Sequence, residues 1–138
     1  MIGVVIVTHG GLGIELLKTA EMIIGKRRNV SVVSIDQKNS VDSARDRVSK
    51  AIKDVDGGDG VLLLTDMFGG TPSNIGISFL DELNIEVVSG VNLPMLMKIS
   101  SLEEESDLRE AANLIKEYGK ENISVASNLL SRHVEKES

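Results

Sequence analysis

The sequence predicts an α/β fold, a doubly wound, mainly parallel sheet in the order 2-1-3-4, with helices on both faces and a short C-terminal edge strand. Three observations carry this. Apolar strand-like runs alternate with helix-like stretches for most of the 138 residues, which calls for parallel strands joined by right-handed crossovers. The strand runs are nearly continuous in apolar residues, so both faces of the sheet should be covered. Two strand-to-helix turns are rich in glycine, at Thr8-His-Gly-Gly11 and at Asp66-Met-Phe-Gly-Gly-Thr-Pro-Ser-Asn74. In open α/β sheets, ligands bind beyond the carboxyl ends of the strands, where the strand order switches.

Ile2 to Val7 is the first strand. From Leu12, the residues Leu12, Leu16, Leu17, Ala20, Ile23 and Ile24 recur at helical spacings, with Glu15, Lys18 and Glu21 largely on the other face. Gly25 ends this helix. Lys26-Arg27-Arg28 reads as a solvated turn that favours the helix C-terminus. Asn29 turns into the second strand, Val30 to Ile35. Ser40 closes a polar loop as the N-cap of a second helix, which carries Val41, Ala44, Val48, Ala51 and Ile52 inward. Asp54 to Asp59 is a loop, and Val61 to Thr65 is the third strand.

At the second glycine-rich turn, Thr71 suits an N-cap and Pro72 the first helical position, where a missing N–H is no loss. That helix continues through Ile75, Ile77 and Phe79-Leu80. Asn84 to Ser89 is the fourth strand. A short helix follows with Leu93, Met95, Leu96 and Met97, its methionines read as core filler. The last helix spans Glu104 to Tyr118 and is capped by Gly119. Ile123 to Ala126 reads as the edge strand. Residues 1–127 make one domain and 128–138 a polar tail, in which His133 has no role.

Composition narrows the function. Hydrophobic residues at 41% and charged residues at 26% describe an ordinary globular domain. The absence of cysteine excludes disulfides, thiol nucleophiles and cysteine-based metal sites. A net charge of −6 with 2% aromatics leaves neither a basic stripe nor a stacking platform, so nucleic-acid binding is not expected. The longest apolar runs fall far short of a membrane span, and the N-terminus lacks signal-peptide features. A cytoplasmic protein without direct membrane insertion is expected.

In the order 2-1-3-4, His9 and Asp66 end neighbouring strands and face one crevice. Gly10, Gly11, Gly69 and Gly70 let backbone approach a ligand there. The helices starting near Leu12 and Thr71 point free N–H groups at the same place, which favours anions. A histidine in such a cradle has three possible jobs. Metal binding is weak, because no second histidine or carboxylate pair lies at ligand spacing, and no metal or cofactor is expected. Acid–base work lacks a separate nucleophile. Phosphoryl acceptance uses every part: Asp66 orients the ring, the amides hold the phosphoryl oxygens, and Thr71 and Ser73 add hydroxyl donors. Against this, a lone histidine at a strand end is more often structural, and Asp66 could simply cap a helix. There is no P-loop signature, and Leu16 stands where a dinucleotide fingerprint needs its third glycine.

Val7-Thr-His-Gly10, Leu16-Leu-Lys-Thr-Ala-Glu21, Thr65-Asp-Met-Phe-Gly-Gly-Thr-Pro-Ser-Asn74 and Ser89-Gly-Val-Asn-Leu-Pro-Met-Leu96 occur in order. Together they resemble the enzyme IIA component of the mannose family of the bacterial phosphoenolpyruvate-dependent sugar phosphotransferase system, over residues 1 to about 127. The resemblance implies a cytoplasmic phosphocarrier that takes a phosphoryl group from phospho-HPr and passes it to a IIB protein, serving sugar transport. It places His9 on the phosphorylated histidine, Asp66 on the orienting aspartate, and Thr71 on a Ser or Thr near the phosphoryl group. It also implies that the edge strand is antiparallel, that the protein is a homodimer, and that the strand from Ile123 is a candidate for exchange between subunits. Many members continue through an Ala/Pro-rich linker into a IIB domain. This chain ends in Ser131-Arg-His-Val-Glu-Lys-Glu-Ser138 and reads as a free subunit. A regulatory phosphocarrier, or the phosphodonor subunit of a dihydroxyacetone kinase, is the alternative output. A non-catalytic anion-binding module is the more distant one.

Overall fold

Strand β1 (Gly3–His9) is built from β-branched side chains, and Val4, Val5, Ile6 and Val7 are fully buried. It therefore lies in the middle of the sheet, between β2 (Val30–Ile35) and β3 (Val61–Thr65), with β4 (Ile85–Ser89) outside β3. All pairs are parallel, and the order β2-β1-β3-β4 is the one predicted. Val4 sits beside Val30 on one side and Leu62 on the other. The structure, a computed structural model, describes residues 1–27, 29–81, 84–102 and 107–130.

Helices α1 (Leu12–Ile24), α4 (Leu93–Ile99) and α5 (Leu108–Glu121) cover one face, where Val4, Ile6, Leu62 and Leu64 meet Ala20, Met95, Ile99 and Ile115. Helices α2 (Val41–Val55) and α3 (Thr71–Ile77) cover the other, where Val5, Val7 and Leu63 meet Val48, Ile52, Ile75 and Phe79. Alternate side chains of each strand thus enter alternate layers, as strand geometry requires. Helices α3 and α4 have only seven residues each, too few to persist alone, so this packing holds them. Ser40 caps α2 as expected, its hydroxyl accepting from the Ser43 N–H at 3.0 Å.

Several expectations are corrected. In α1 only Gly13 and Ala20 are buried, whereas Leu12, Ile23 and Ile24 are 49%, 54% and 40% exposed. The reason is close approach: a Cβ at Gly13 would lie 3.0–3.1 Å from Ile6, Thr8 and Val32, so the smallest residues face the sheet and larger ones go to the flanks. Val41, at the first position of α2, is also exposed. Arg27 is not a solvated turn residue. Its guanidinium donates to the carbonyls of Ile99 (2.5 Å) and Ile2 (3.1 Å) and to the Asn29 side chain (2.9 Å), tying the end of α4 to the start of β1. Burial lowers its pKa from the ordinary arginine value. Gly119 is not a cap. It lies within α5, where a Cβ would stand 2.7 Å from Met95, and its absence lets α5 seat on α4.

Residues 123–126 are not a strand in this chain. Residues 123–125 lie outside the sheet and 126–130 are helical. Locally, the Ile123 N–H donates to the Lys120 carbonyl, and the Asn128 and Leu129 N–H groups donate to that of Val125. Residues 103–106, where the last helix was expected to begin, lie outside the described residues, as do 131–138 of the tail with His133.

Candidate functional site

β1 and β3 pair in parallel with Val7 opposite Thr65, so both strands finish at the same end of the sheet: Asp66 follows Thr65 directly, and His9, the last residue of β1, stands two places past Val7. One carboxylate oxygen of Asp66, Oδ2, accepts from both the His9 ring Nδ1 at 2.8 Å and the His9 backbone N–H at 3.0 Å. The other, Oδ1, accepts from the Met67 N–H at 3.0 Å. The Asp66 side chain is 10% exposed and that of His9 49%. The carboxylate is thus enclosed and the ring open to solvent.

Burial pushes the Asp66 carboxyl up. The hydrogen bonds from the His9 backbone and ring, the charge that ring carries when protonated and a backbone N–H of Asp66 itself outweigh burial, and the group sits below the ordinary aspartate value. An ionised carboxylate only accepts hydrogen bonds. The neutral His9 ring must therefore carry its proton on Nδ1, which leaves the lone pair on Nε2.

Glycines form both turns at the site, and Gly70 lies against the ring. Gly10 and Gly69 have φ of +54° and +91°, a region that favours glycine. The Gly10 N–H donates to the Ile35 carbonyl at 2.8 Å, anchoring the turn to β2. Gly11 is the exposed N-cap of α1. Gly70 packs on the imidazole: a Cβ there would be 2.8 Å from His9 Cε1 and 3.3 Å from Nε2. Gly70 is also the N-cap of α3, so Thr71 is the first helical residue and Pro72 the second, one place later than predicted, and no side chain caps this end. The Gly70 backbone is extended, and its carbonyl accepts the first bond of the helix from the Asn74 N–H at 2.9 Å. Thr71 is exposed. Ser73 is fully buried with its hydroxyl unpartnered, so it is not presented on the open surface that His9 shares.

The structure brings together His9, Asp66 and the two glycine pairs, and it adds residues that the sequence reading passed over. The Thr8 hydroxyl, buried beneath His9, accepts from the Gly13 N–H at 2.8 Å. A threonine closing an apolar strand just before a helix start was the available signal. Met67 and Phe68 stand 54% and 77% exposed on the same turn as Asp66. Among the described residues, no group of three or more His, Cys, Asp or Glu could hold a metal ion. No helix among them is long and apolar enough to cross a membrane.

Comparison with known proteins agrees with this architecture. The family model EIIA-man, described as the phosphotransferase system (PTS) fructose IIA component, matches residues 3–116. The PTS fructose-specific EIIA component of Bacillus subtilis is 33% identical over 133 residues, covering 96% of this chain and 91% of that protein. The PTS mannose-specific EIIAB component of Escherichia coli is 32% identical over 137 residues, which span 98% of this chain but 42% of that longer protein. The crystal structure of the phosphotransferase system component EIIA from Streptococcus agalactiae superposes with a TM-score of 0.82 at 26% identity, covering 93% of this chain and 99% of that one. With its parallel 2-1-3-4 sheet, this chain belongs to the EIIA-man family, the mannose-family IIA components of the phosphotransferase system.

Proposed function

We propose that this protein is a cytoplasmic phosphocarrier that accepts a phosphoryl group from phospho-HPr on His9 and passes it to a IIB component for sugar uptake and phosphorylation. The observation that carries the reading is the shared Asp66 oxygen: two donors of His9, one backbone and one ring, converge on it. The imidazole is thereby fixed in tilt and in tautomer. In the forward step, the Nε2 lone pair attacks phosphorus in line with the donor's P–N bond. That bond breaks as the new one forms, and its electron pair returns to the donor imidazole. The His9 ring becomes cationic at that moment, and the adjacent Asp66 carboxylate stabilises it. The Gly11 backbone amide and those of the turn at Gly69-Gly70, with the exposed Thr71 hydroxyl, face the oxygens on which charge accumulates, while the Gly10 N–H is held by Ile35. Transfer to IIB is the same step reversed, with Nε2 as leaving atom.

This reading takes residues 1–127 as the phosphocarrier domain and 128–138 as a tail. It includes a homodimer. β4 is one of the two outer strands of the sheet, and Ile123 and Val125 are 74% and 61% exposed in this chain. Pairing of that segment with the β4 edge of a second copy would cover both.

Incubation with phosphoenolpyruvate, enzyme I and HPr tests the reading. Acid-labile phosphate should appear on His9 and be absent from His9→Ala. An unlabelled wild type, or equal labelling of the variant, would reject it.

A further inference from the structure

The segment that carries His9 is tethered on three sides. The His9 backbone N–H reaches Asp66 beyond β3, and the Gly10 N–H reaches Ile35 on β2. The third tether is Thr8. Its side chain is fully buried, and its Oγ1 accepts from the Gly13 N–H at 2.8 Å while lying 3.5 Å from the Gly10 carbonyl as donor. Gly13 belongs to the first turn of α1 and packs tightly there, because a Cβ would meet Thr8 Oγ1 at 3.1 Å. Gly11, the N-cap, supplies no side-chain cap of its own. The Thr8 hydroxyl is therefore what joins the start of α1 to the end of β1 across the turn in which His9 stands.

We propose that Thr8 is a positioning residue for phosphoryl transfer: by holding α1's first turn to the end of β1, its hydroxyl sets the angle at which His9 presents Nε2. This rests on the phosphocarrier reading. Thr8 touches neither phosphoryl group nor partner, since it is sealed from solvent. Its hydroxyl also occupies one amide of the α1 terminus and leaves its neighbours to face the ligand. The methyl group fills space in the core and has no such part, so the hydroxyl alone should matter.

The test compares Thr8→Val, which keeps the shape and loses the acceptor, with Thr8→Ser, which keeps the acceptor and loses the methyl. Phosphorylation by phospho-HPr is followed in rapid-quench experiments, and amide exchange of Gly13 by NMR. Thr8→Val should lower kcat roughly five- to tenfold, the loss of about one neutral hydrogen bond, with KM for phospho-HPr unchanged and faster Gly13 exchange. Thr8→Ser should restore both. Wild-type kcat in Thr8→Val, an effect confined to KM, or an equal loss in Thr8→Ser would overturn the proposal. If Thr8→Val does not fold, Thr8→Ala, which also lacks the hydroxyl, takes its place and is read the same way. If wild-type protein takes no phosphate on His9, the phosphocarrier reading falls, while the Gly13 exchange series still shows whether the hydroxyl braces the turn.

Discussion

Gly70→Ala isolates the role of the space beside the imidazole. Gly70 has φ −94° and ψ 177°, an extended conformation open to any residue, so alanine introduces no backbone strain. The added methyl carbon would lie 2.8 Å from His9 Cε1 and 3.3 Å from Nε2. Carbon atoms rest at about 3.5–4.0 Å, so the ring must move by roughly 0.7 Å or more. The available movement is away from Gly70, which stretches or tilts the 2.8 Å bond between Nδ1 and Asp66. A hydrogen bond to a charged group contributes about 1.5–3 kcal/mol. At about 1.36 kcal/mol per decade, its loss slows transfer roughly 10- to 150-fold. The methyl also stands beside the nitrogen that must meet phosphorus. Rapid-quench measurement of phosphorylation by phospho-HPr, with urea unfolding as a control for stability, reads the effect. Wild-type rates in a folded Gly70→Ala protein would refute the argument that the glycine clears space for the reacting ring.

Asp66→Asn keeps the size of the side chain but can turn an N–H₂ toward Nδ1, which favours the wrong tautomer. Transfer should fall by a similar factor of roughly 10 to 150 with the fold intact, as checked by quench kinetics and circular dichroism. Acid stability gives a second reading of the same carboxylate. Its folded pKa is depressed, so its stabilising contribution is present above the ordinary aspartate value of about 3.9 and lost as pH falls through the lower folded value. Urea midpoints measured from pH 5 downward should fall less steeply in Asp66→Asn than in wild type; parallel curves would contradict this. In Gly119→Ala the new methyl meets the buried Met95 side chain at 2.7 Å, and overpacking should cost about 1–3 kcal/mol in urea unfolding.

Local chemistry made parts of this protein legible. The strands Val30–Ile35 and Val61–Thr65 were read to the residue because short β-branched and leucine runs bounded by polar residues have few other uses. The Ser40 cap was readable because its partner, the Ser43 N–H, lies three residues on. His9 and Asp66, 57 positions apart, were joined only through the predicted strand order, which the parallel β1–β3 register reproduces.

What was not legible depends on distant atoms. The glycine at 13 had no structural part in the sequence reading, because its place is set by Ile6, Thr8 and Val32, and it decides which apolar residues of α1 face outward. Arg27 finds its carbonyls at residues 2 and 99, so no local pattern separates it from a solvated basic turn. Gly119 carries the same signal as a helix C-cap, and only the position of Met95 distinguishes the two. Residues 123–126 have strand-like composition, but within one chain the backbone closes into local turns at both ends. Ser73 resembled a hydroxyl donor by its place after Pro72, and the helix start one residue earlier in the turn, at Gly70, carries it inward.

The central claim concerns one nitrogen atom. Long-range ¹⁵N–³¹P coupling in ¹⁵N-histidine-labelled protein, recorded after phosphorylation under alkaline conditions, identifies the nitrogen that carries phosphorus. Phosphorus on Nε2 of His9, with the Nδ1 proton still held toward Asp66, is the predicted result. Phosphorus on Nδ1, or on any other residue, would contradict the assignment of Asp66 as the group that holds the ring for attack.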